Sequence, residues 1–384
     1  MTQRVAIACS GLGLIRRGNE NWAQTVAEAL HSAGEPVTLF GAAPLETSCP
    51  YRRVATIPRE SALWRRWISW PVRYRWEQFF FSAGLRRTLR PGHFDIIVAA
   101  DPQLAWWVRN ATRNQRPVTV YQDGLMLGPD WNWRFEWSQV LAPYYKEEAQ
   151  QQGHDVTGWR VIPQMVDTDR FSPPLDPGEA RDGVFATSIP PEALVILAVG
   201  DFSGSSNKRL DWILREVAAM DGQVPELRPH LVIAGHATPE ALAGVEAYGR
   251  PLLGSRLHLV PNRPTTDMPA LFRAADVFVH AALREPFGVV FIEAMACGIP
   301  VIAHTFPVSR WIVGDGGVTV DMTEPGTLSG ALARLAGSPA ERKTTGKRAR
   351  RRALSHFSPK ALVPEYRAFF REIRMRRGHV AQSL

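Results

Sequence analysis

Residues 284–301 have the sequence REPFGVVFIEAMACGIPV, which combines a turn, a short apolar helix and the beginning of a strand. Gly288 opens the predicted helix and Gly298 ends it, because glycine is the residue that most readily terminates a helix. The helical positions are apolar on every side, and Glu293 is their only charged residue. Since a helix that is apolar all round is a buried helix, the stretch predicts a buried helix that carries one carboxylate.

Glu293 therefore needs a partner, because burying a lone carboxylate costs several kcal/mol. A ribose diol, with two neighbouring hydroxyl donors, is one such partner. The N–H groups at the beginning of the helix, near Gly288 and Val289, favour an anion such as phosphate. Glu285, in the preceding turn, is then available to another hydroxylated group. A sugar nucleotide carries these groups in that order. The alternative is a structural pair between Glu293 and a neighbouring arginine.

Short apolar runs without polar alternation surround this stretch, as is typical of parallel strands buried on both faces. In the C-terminal half, a predicted strand over 194–199 is followed by Gly200, a polar loop and a predicted helix over 210–220. The remaining strands predicted in this half cover 231–234, 257–260, 277–279 and 301–303.

The N-terminal half has the same organisation. Apolar runs over 5–9 and 37–40 flank a glycine loop and a predicted helix over 22–33. The loop glycines are Gly11, Gly13 and Gly18, and further strands are predicted over 94–99 and 118–121, followed by Asp101 and Asp123. The pattern predicts an α/β protein with two Rossmann-like domains and a cleft between them, joined by a proline-rich linker over 171–178.

The composition limits the classes of protein to which the chain can belong. The 384 residues are 45% hydrophobic and 21% charged, which is typical of a folded chain. Three widely spaced cysteines argue against a disulfide framework or a zinc site and favour the cytoplasm. No apolar run approaches the ~20 residues of a membrane-spanning helix. The net charge of +8 is uneven, since residues 50–120 carry 13 Arg and 4 acidic residues. This imbalance favours an anionic partner.

Several segments in this order resemble the retaining glycosyltransferases of GT-B fold, specifically glycosyltransferase family 4, over nearly the whole chain. The family's two glutamates, eight positions apart, match Glu285 and Glu293. VIPQMVDTDRF at 161–171, DGGVTVD at 315–321 and FSPKALVPEYRAFF at 357–370 also match. The resemblance implies two Rossmann-like domains facing each other across a deep interdomain cleft. Their expected bounds are 1–168 for the acceptor domain, 169–190 for the linker, 191–357 for the donor domain and 358–384 for a helix that returns to the first domain.

The resemblance also implies a reaction: a hexose-type sugar moves from a nucleotide-diphosphate sugar, UDP in preference to GDP, to a hydroxyl of a glycan, lipid-linked or small-molecule acceptor. Neither a permanently bound cofactor nor a metal is expected. The expected catalytic residues are Lys208, Arg209, Glu285 and Asp123. The expected donor-binding residues are Gly11, Gly13, Gly18, Gly200, Asn262, Arg263, Phe287, Gly288, Val289 and Glu293. The expected acceptor residues are Glu20, Asp130 and Trp131.

The chain departs from the family in two places. Asp201 stands where an arginine is usual, and Arg209 replaces a glycine. Many relatives carry a histidine after the strand matched by 118–120, whereas this chain has Tyr121-Gln-Asp-Gly there. Either Asp123 takes over part of that role or the site is built differently. Asp167 and Asp169 resemble a metal-binding pair, but their place in the linker strand favours a structural role.

Residues 62–90 interleave tryptophan and phenylalanine with arginine. Three interpretations remain: a surface helix with its aromatic residues in the core, a patch that binds an anionic membrane surface on its cytoplasmic side, or an acceptor groove. Pro71 is expected to interrupt any helix here. The arginines at 348–352 predict no nucleic-acid partner, because no nucleic-acid-binding motif accompanies them.

Two other functions fit the same architecture. A sugar-nucleotide epimerase would need acid and base carboxylates at the sugar and no acceptor site. A catalytically silent nucleotide-sugar-binding protein would explain the missing histidine.

Overall fold

A computed structural model describes residues 3–15, 17–89, 92–111, 117–125, 129–132, 134–174, 181, 184, 189–204, 207–225 and 227–382, without the side chains of 63, 111, 129, 130 and 377–382. The chain forms two compact units. One comprises Met1–Met165 together with Pro359–Leu384, and the other comprises Val166–Ser358.

The first unit contains a parallel sheet of seven strands. These strands are β1 Val5–Ala8, β2 Val37–Gly41, β3 Tyr51–Arg53, β4 Ile96–Ala99, β5 Val118–Asp123, β6 Trp137–Val140 and β7 Trp159–Val161. Their spatial order is β3-β2-β1-β4-β5-β6-β7. The helices between them are α1 Gly18–Ser32, α2 Ala62–Arg65, α3 Trp70–Thr88, α4 Pro102–Ala111, α5 Pro129–Asn132 and α6 Pro143–Gln151.

The second unit contains a parallel sheet of six strands. These strands are β8 Val195–Val199, β9 His230–Gly235, β10 Leu257–Pro261, β11 Val277–His280, β12 Val301–His304 and β13 Gly317–Val320, in the order β10-β9-β8-β11-β12-β13. Its helices are α7 Leu210–Ala219, α8 Pro239–Leu253, α9 Met268–Arg273, α10 Val289–Ala296, α11 Pro307–Val313, α12 Thr327–Gly337 and α13 Pro339–Arg352.

Both sheets are doubly wound, and this topology determines where polar groups collect. In the first sheet the strand order reverses between β1 and β4, and in the second between β8 and β11. The loops that follow the two strands leave in opposite directions at such a point and open a crevice at their carboxyl ends. Each unit therefore has one preferred place for a ligand.

The last helix, α14 Pro359–Gln382, packs within the first unit. Its apolar side chains join the core that also contains Trp22 of α1. The buried Tyr366 hydroxyl accepts hydrogen bonds from Trp22 Nε1 at 3.1 Å and from Gln139 Nε2 at 2.8 Å. These bonds fix the helix against α1 and β6.

The α/β class with two Rossmann-like sheets is confirmed. The prediction that Pro71 interrupts a helix is wrong, because α3 begins at Trp70 and places Pro71 in its first turn. A proline is tolerated there since the first N–H groups of a helix lack intrahelical partners. Strand β6 escaped prediction because it buries Ser138 and Gln139. None of the described helices is both long and apolar enough to traverse a lipid bilayer.

Tyr366→Phe tests the attachment of α14. The substitution leaves the Trp22 indole N–H without its acceptor and removes one of the two bonds donated by Gln139. We expect the free energy of unfolding to fall by about 1–3 kcal/mol, seen as a lower thermal midpoint. Tyr248→Phe is the matched control, because the Tyr248 side chain is exposed and should be insensitive. Equal midpoints for the two variants would contradict the role of the hydroxyl.

Candidate functional site

The switch point of the second unit carries an ion pair. Lys208 follows β8, and Glu285 follows β11. Lys208 Nζ lies 2.5 Å from Glu285 Oε2, and His280 Nε2 lies 3.0 Å from the same oxygen. His280 is the last residue of β11 and is buried. The topology thus brings two of the catalytic candidates, Lys208 and Glu285, into direct contact.

Glu285 is ionised in this arrangement. Burial raises its pKa, but the His280 hydrogen bond and the Lys208 charge outweigh burial and lower the pKa to about 2. Burial lowers the pKa of His280, so the neutral imidazole donates Nε2–H to the carboxylate. Among the described residues, the charge on Glu285 is therefore balanced by Lys208.

Glycines make room for this pair. A Cβ on Gly200 would lie 2.8 Å from Lys208 Cγ, so the lysine stem crosses the end of β8 only because that position has no side chain. Gly288, at φ +79°, precedes α10, and a Cβ there would lie 2.9 Å from Glu285 Cγ. The turn that carries Glu285 therefore packs directly against the beginning of α10.

Glu293 has a different environment. It is half-buried on α10, and five of the eight residues of that helix are buried and apolar. Burial raises its pKa to about 7, although the charge of Arg170 opposes the shift. Arg170 donates instead to the Thr265 carbonyl. Among the described residues, no side chain makes a hydrogen bond or ion pair with the Glu293 carboxylate. The alternative of a Glu293–arginine pair is thus not the observed arrangement.

Two of the remaining donor-binding candidates, Phe287 and Val289, lie at the beginning of α10. Phe287 is buried against Phe357, with ring centroids 6.0 Å apart, and Val289 begins α10. Phe291 N already donates to the Gly288 carbonyl at 2.9 Å, so the N–H groups of Val289 and Val290 are the ones that the beginning of a helix offers to other acceptors. They offer hydrogen-bond donors to an anion.

Asn262 and Arg263 instead hold loops together. The Asn262 side chain accepts from Ala237 N at 3.1 Å and donates to Ala237 O at 2.8 Å. Arg263 lies 3.3 Å from Asp267 and also donates to the Val184 carbonyl. Both side chains are thus engaged within the C-terminal unit.

Arg209 does not join the pair formed by its neighbour Lys208. Its guanidinium makes two hydrogen bonds to Asp211, at 2.9 and 3.1 Å, and lies 3.6 Å from the centroid of the Trp212 ring. Asp211 balances its charge at the beginning of α7.

The switch point of the first unit holds buried carboxylates. A Cβ on Gly11 would lie 2.2 Å from Glu20 Oε1, so Glu20 occupies the space that a side chain at Gly11 would fill. Asp101, which follows β4, accepts from Ser10 N and from the Tyr74 hydroxyl, both at 2.6 Å. Burial and the negative charge of Asp101 raise the pKa of Glu20 to about 7. Glu20 can therefore exchange a proton near neutral pH.

Arg59 supplies positive charge to this cluster. Its guanidinium donates to both oxygens of the buried Glu77, with a closest distance of 2.6 Å. The guanidinium carbon also lies 3.9 Å from the centroid of the Tyr74 ring. Sequence reasoning missed Arg59, Tyr74 and Glu77, since they come from a loop and a helix far along the chain from Gly11. The only available signal was Asp101 at the end of a predicted strand.

The other N-terminal candidates belong to the same unit. Asp123 is buried and accepts from Asn132 Nδ2 at 2.6 Å. Trp131 is half-buried beneath Arg134, while the side chain of Asp130 lies outside the described residues. Gly13 lies in the loop that precedes α1, and Gly18 begins that helix.

Comparison with known proteins identifies the family of the chain. Residues 193–338 match the family model described as glycosyl transferases group 1. The D-inositol 3-phosphate glycosyltransferase of Mycobacterium tuberculosis (strain F11) is 30% identical over 337 residues, which cover 78% of this chain and 68% of the relative.

The chain belongs to the group 1 glycosyltransferases. A second relative, the D-inositol 3-phosphate glycosyltransferase of Thermomonospora curvata, is 34% identical over 211 residues, or 51% of this chain. The aligned part of the chain spans 48% of that relative's length. It spans 41% of the length of another relative, the D-inositol 3-phosphate glycosyltransferase 2 of Catenulispora acidiphila.

Solved structures identify the fold of this group 1 member as GT-B. Sucrose-phosphate synthase from Thermosynechococcus elongatus superposes with a TM-score of 0.81 at 20% identity, covering 97% of this chain and 99% of that one. Anabaena Alr3699/HepE in complex with UDP and glucose superposes with a TM-score of 0.74 at 17% identity, covering 96% and 100%.

A double-mutant cycle measures the Lys208–Glu285 pair independently of catalysis. Lys208→Met, Glu285→Gln and the double variant should show a coupling free energy on the order of 1–2 kcal/mol in thermal unfolding, because both side chains are largely buried. The exposed Arg250–Glu246 pair, 3.2 Å apart, is the matched control and should couple by less than about 0.5 kcal/mol. Equal coupling in the two pairs would contradict the assigned geometry.

Proposed function

We propose that the chain is a retaining glycosyltransferase that uses a nucleotide-diphosphate sugar, with UDP favoured over GDP, and a hydroxyl acceptor. The observation that carries this proposal is the Glu293 carboxylate, which lies on an apolar helix and has no side-chain partner among the described residues. A ribose diol donates two neighbouring hydrogen bonds, which is what an ionised carboxylate in apolar surroundings lacks.

The surrounding groups support the rest of the donor. The N–H groups at the beginning of α10 favour the phosphate nearest the sugar. Glu285 accepts from sugar hydroxyls, and its low pKa keeps it an acceptor at any physiological pH. Lys208 is the cation beside this position, 2.5 Å from Glu285, and supplies positive charge to the leaving diphosphate without a metal.

The proposed chemistry needs no enzyme nucleophile. The bond between the anomeric carbon and the phosphate oxygen breaks while the acceptor oxygen bonds to the same face of that carbon. The acceptor proton passes to the departing phosphate oxygen. The protein positions the two substrates and stabilises the negative charge that develops on the diphosphate. We assign this charge stabilisation mainly to Lys208, because Lys208 lies at the switch point beside Glu285, whereas the Arg209 guanidinium lies against Asp211 and Trp212 of α7.

The acceptor belongs in the first unit in this proposal. Glu20 has a pKa of about 7 beside Gly11, and Asp123 lies at the end of β5. Both lie at carboxyl ends of the doubly wound sheet, where hydroxylated ligands bind in such folds. The relatives act on D-inositol 3-phosphate by name, and one protein of the same fold has been crystallised with UDP and glucose. These names favour UDP and a polyol hydroxyl for this chain.

Lys208→Ala tests the charge stabilisation. The variant should lose about 10²–10³-fold in kcat/KM for UDP release from UDP-glucose, because the developing diphosphate charge loses its cation. Lys343→Ala is the matched control, since Lys343 is exposed on α13. Turnover close to that of the unaltered chain would exclude this role for Lys208. A preceding thermal-shift panel of UDP-glucose, UDP-N-acetylglucosamine and GDP-mannose identifies the donor to use.

Glu293→Gln tests the ribose contact through two opposite effects. The folded-state pKa of Glu293 is raised, so the carboxyl contributes less stability as pH rises from about 4.5 to 7. Without nucleotide, the variant should therefore be more stable at pH 8, by up to about 3 kcal/mol.

The same variant should bind UDP-glucose about 10- to 100-fold more weakly at pH 8, because the diol loses a charged acceptor. For the unaltered chain, the affinity measured by calorimetry should fall as pH is lowered through about 7, and the Glu293→Gln profile should be flatter over this range. Unchanged affinity and an unchanged pH profile in the variant would contradict the proposal.

A further inference from the structure

Helix α3 buries Phe81 and Leu85, but it also buries charged and amide side chains while several of its aromatic side chains are exposed. Its aromatic side chains Trp76, Phe79 and Phe80 are exposed, while Arg73, Glu77 and Gln78 are buried. Trp67, in the turn before the helix, is 81% exposed. Surface helices of globular proteins normally show the opposite arrangement.

The buried polar side chains are fixed by specific bonds. Glu77 accepts from Arg59, and Arg73 donates to the Arg59 carbonyl at 2.6 Å. The Gln78 side-chain oxygen accepts from the first N–H groups of α4, at 2.8 and 3.2 Å. Rotation of α3 to bury its aromatic residues would break these bonds. The apolar side chains therefore stay outside.

Three of the exposed rings are linked through ring contacts. Phe79 contacts Phe80 and Trp107, with ring centroids 5.5 and 5.3 Å apart, while the buried Trp64 packs on Trp76 at 5.5 Å and on Phe80 at 6.5 Å. Trp67 and Trp70 precede them in the chain and are exposed too. We call the five exposed side chains Trp67, Trp70, Trp76, Phe79 and Phe80 the aromatic face. A group of exposed apolar side chains of this size marks an interaction site.

The exposed charges in the stretch that carries the aromatic face are predominantly positive. Within residues 60–89, the exposed side chains include Arg65, Arg66, Arg75, Arg86 and Arg87. The described residues of this stretch expose a single acid, Glu60, which pairs with Arg73 at 3.4 Å. A partner that complements this surface therefore has a negatively charged outer layer and an apolar interior.

We propose that the aromatic face binds the surface of an anionic lipid bilayer. Tryptophan and phenylalanine rings enter the boundary between headgroups and acyl chains, and the arginines contact lipid phosphates. A second copy of the chain fits less well, because a symmetric contact through this face places one set of five arginines against the other. Lipid binding does not require sugar transfer, so the two proposals can fail separately.

Flotation with vesicles tests the inference directly. The full chain is mixed with vesicles of phosphatidylcholine alone or phosphatidylcholine with phosphatidylglycerol. We expect flotation with the anionic vesicles only, and a loss of binding as NaCl concentration rises. Trp67→Ser with Trp76→Ser should weaken vesicle binding by about tenfold or more. The matched control is Tyr248→Ser, an exposed aromatic residue of the other unit that should have no effect.

A second set of variants tests the contribution of the arginines to vesicle binding. Arg86→Gln with Arg87→Gln should weaken binding by about fivefold for each charge. Arg215→Gln with Arg371→Gln removes the same charge from exposed positions outside α3 and should change binding less. Absence of flotation at low salt overturns the inference. Equal binding to neutral vesicles, or a dimer in sedimentation equilibrium that Trp67→Ser dissociates without any vesicle binding, also overturns it.

Discussion

A parallel sheet covered on both faces has apolar strands, and its polar groups can reach solvent only at strand ends. The strands beside the two switch points of this protein, β1, β4, β8 and β11, follow that constraint. Gly200 and Glu285 follow the neighbouring strands β8 and β11, and Ser10 and Asp101 follow β1 and β4. The positions of the functional candidates thus depend on strand order, because carboxyl ends on either side of a switch point face one crevice.

Two glutamates eight positions apart illustrate how environment separates similar groups. Glu285 has a cation and a neutral histidine on one oxygen, and its pKa falls to about 2. Glu293 lies on an apolar helix without such partners among the described residues, and its pKa rises to about 7. The first carboxylate is stable in the free protein, whereas ionisation of the second costs folding free energy. A ligand that donates to Glu293 recovers that free energy, which is why we assign ligand binding to this position.

The sequence predicted features that depend on local pattern. Apolar runs located β1, β8 and β11 to within one or two residues, and glycines located the bounds of α10. The predictions were weaker where contacts between residues far apart in the chain determine which side chains lie together. Arg59, Tyr74 and Asp101 meet only after folding, and His280 was missed because the predicted strand ended at residue 279, one residue short of the end of β11. The burial of Arg73, Glu77 and Gln78 in α3 also follows from their tertiary bonds rather than from helical periodicity.

The most direct measurement is a titration of the Glu293 side-chain carboxyl by ¹³C NMR, assigned with Glu293→Gln, in the presence and absence of UDP-glucose. We expect a pKa of about 7 in the free protein and a lower pKa once the nucleotide sugar is bound, because the ribose hydroxyls stabilise the ionised form. An ordinary pKa near 4.5 in the free protein, or a raised pKa that the ligand leaves unchanged, would contradict it.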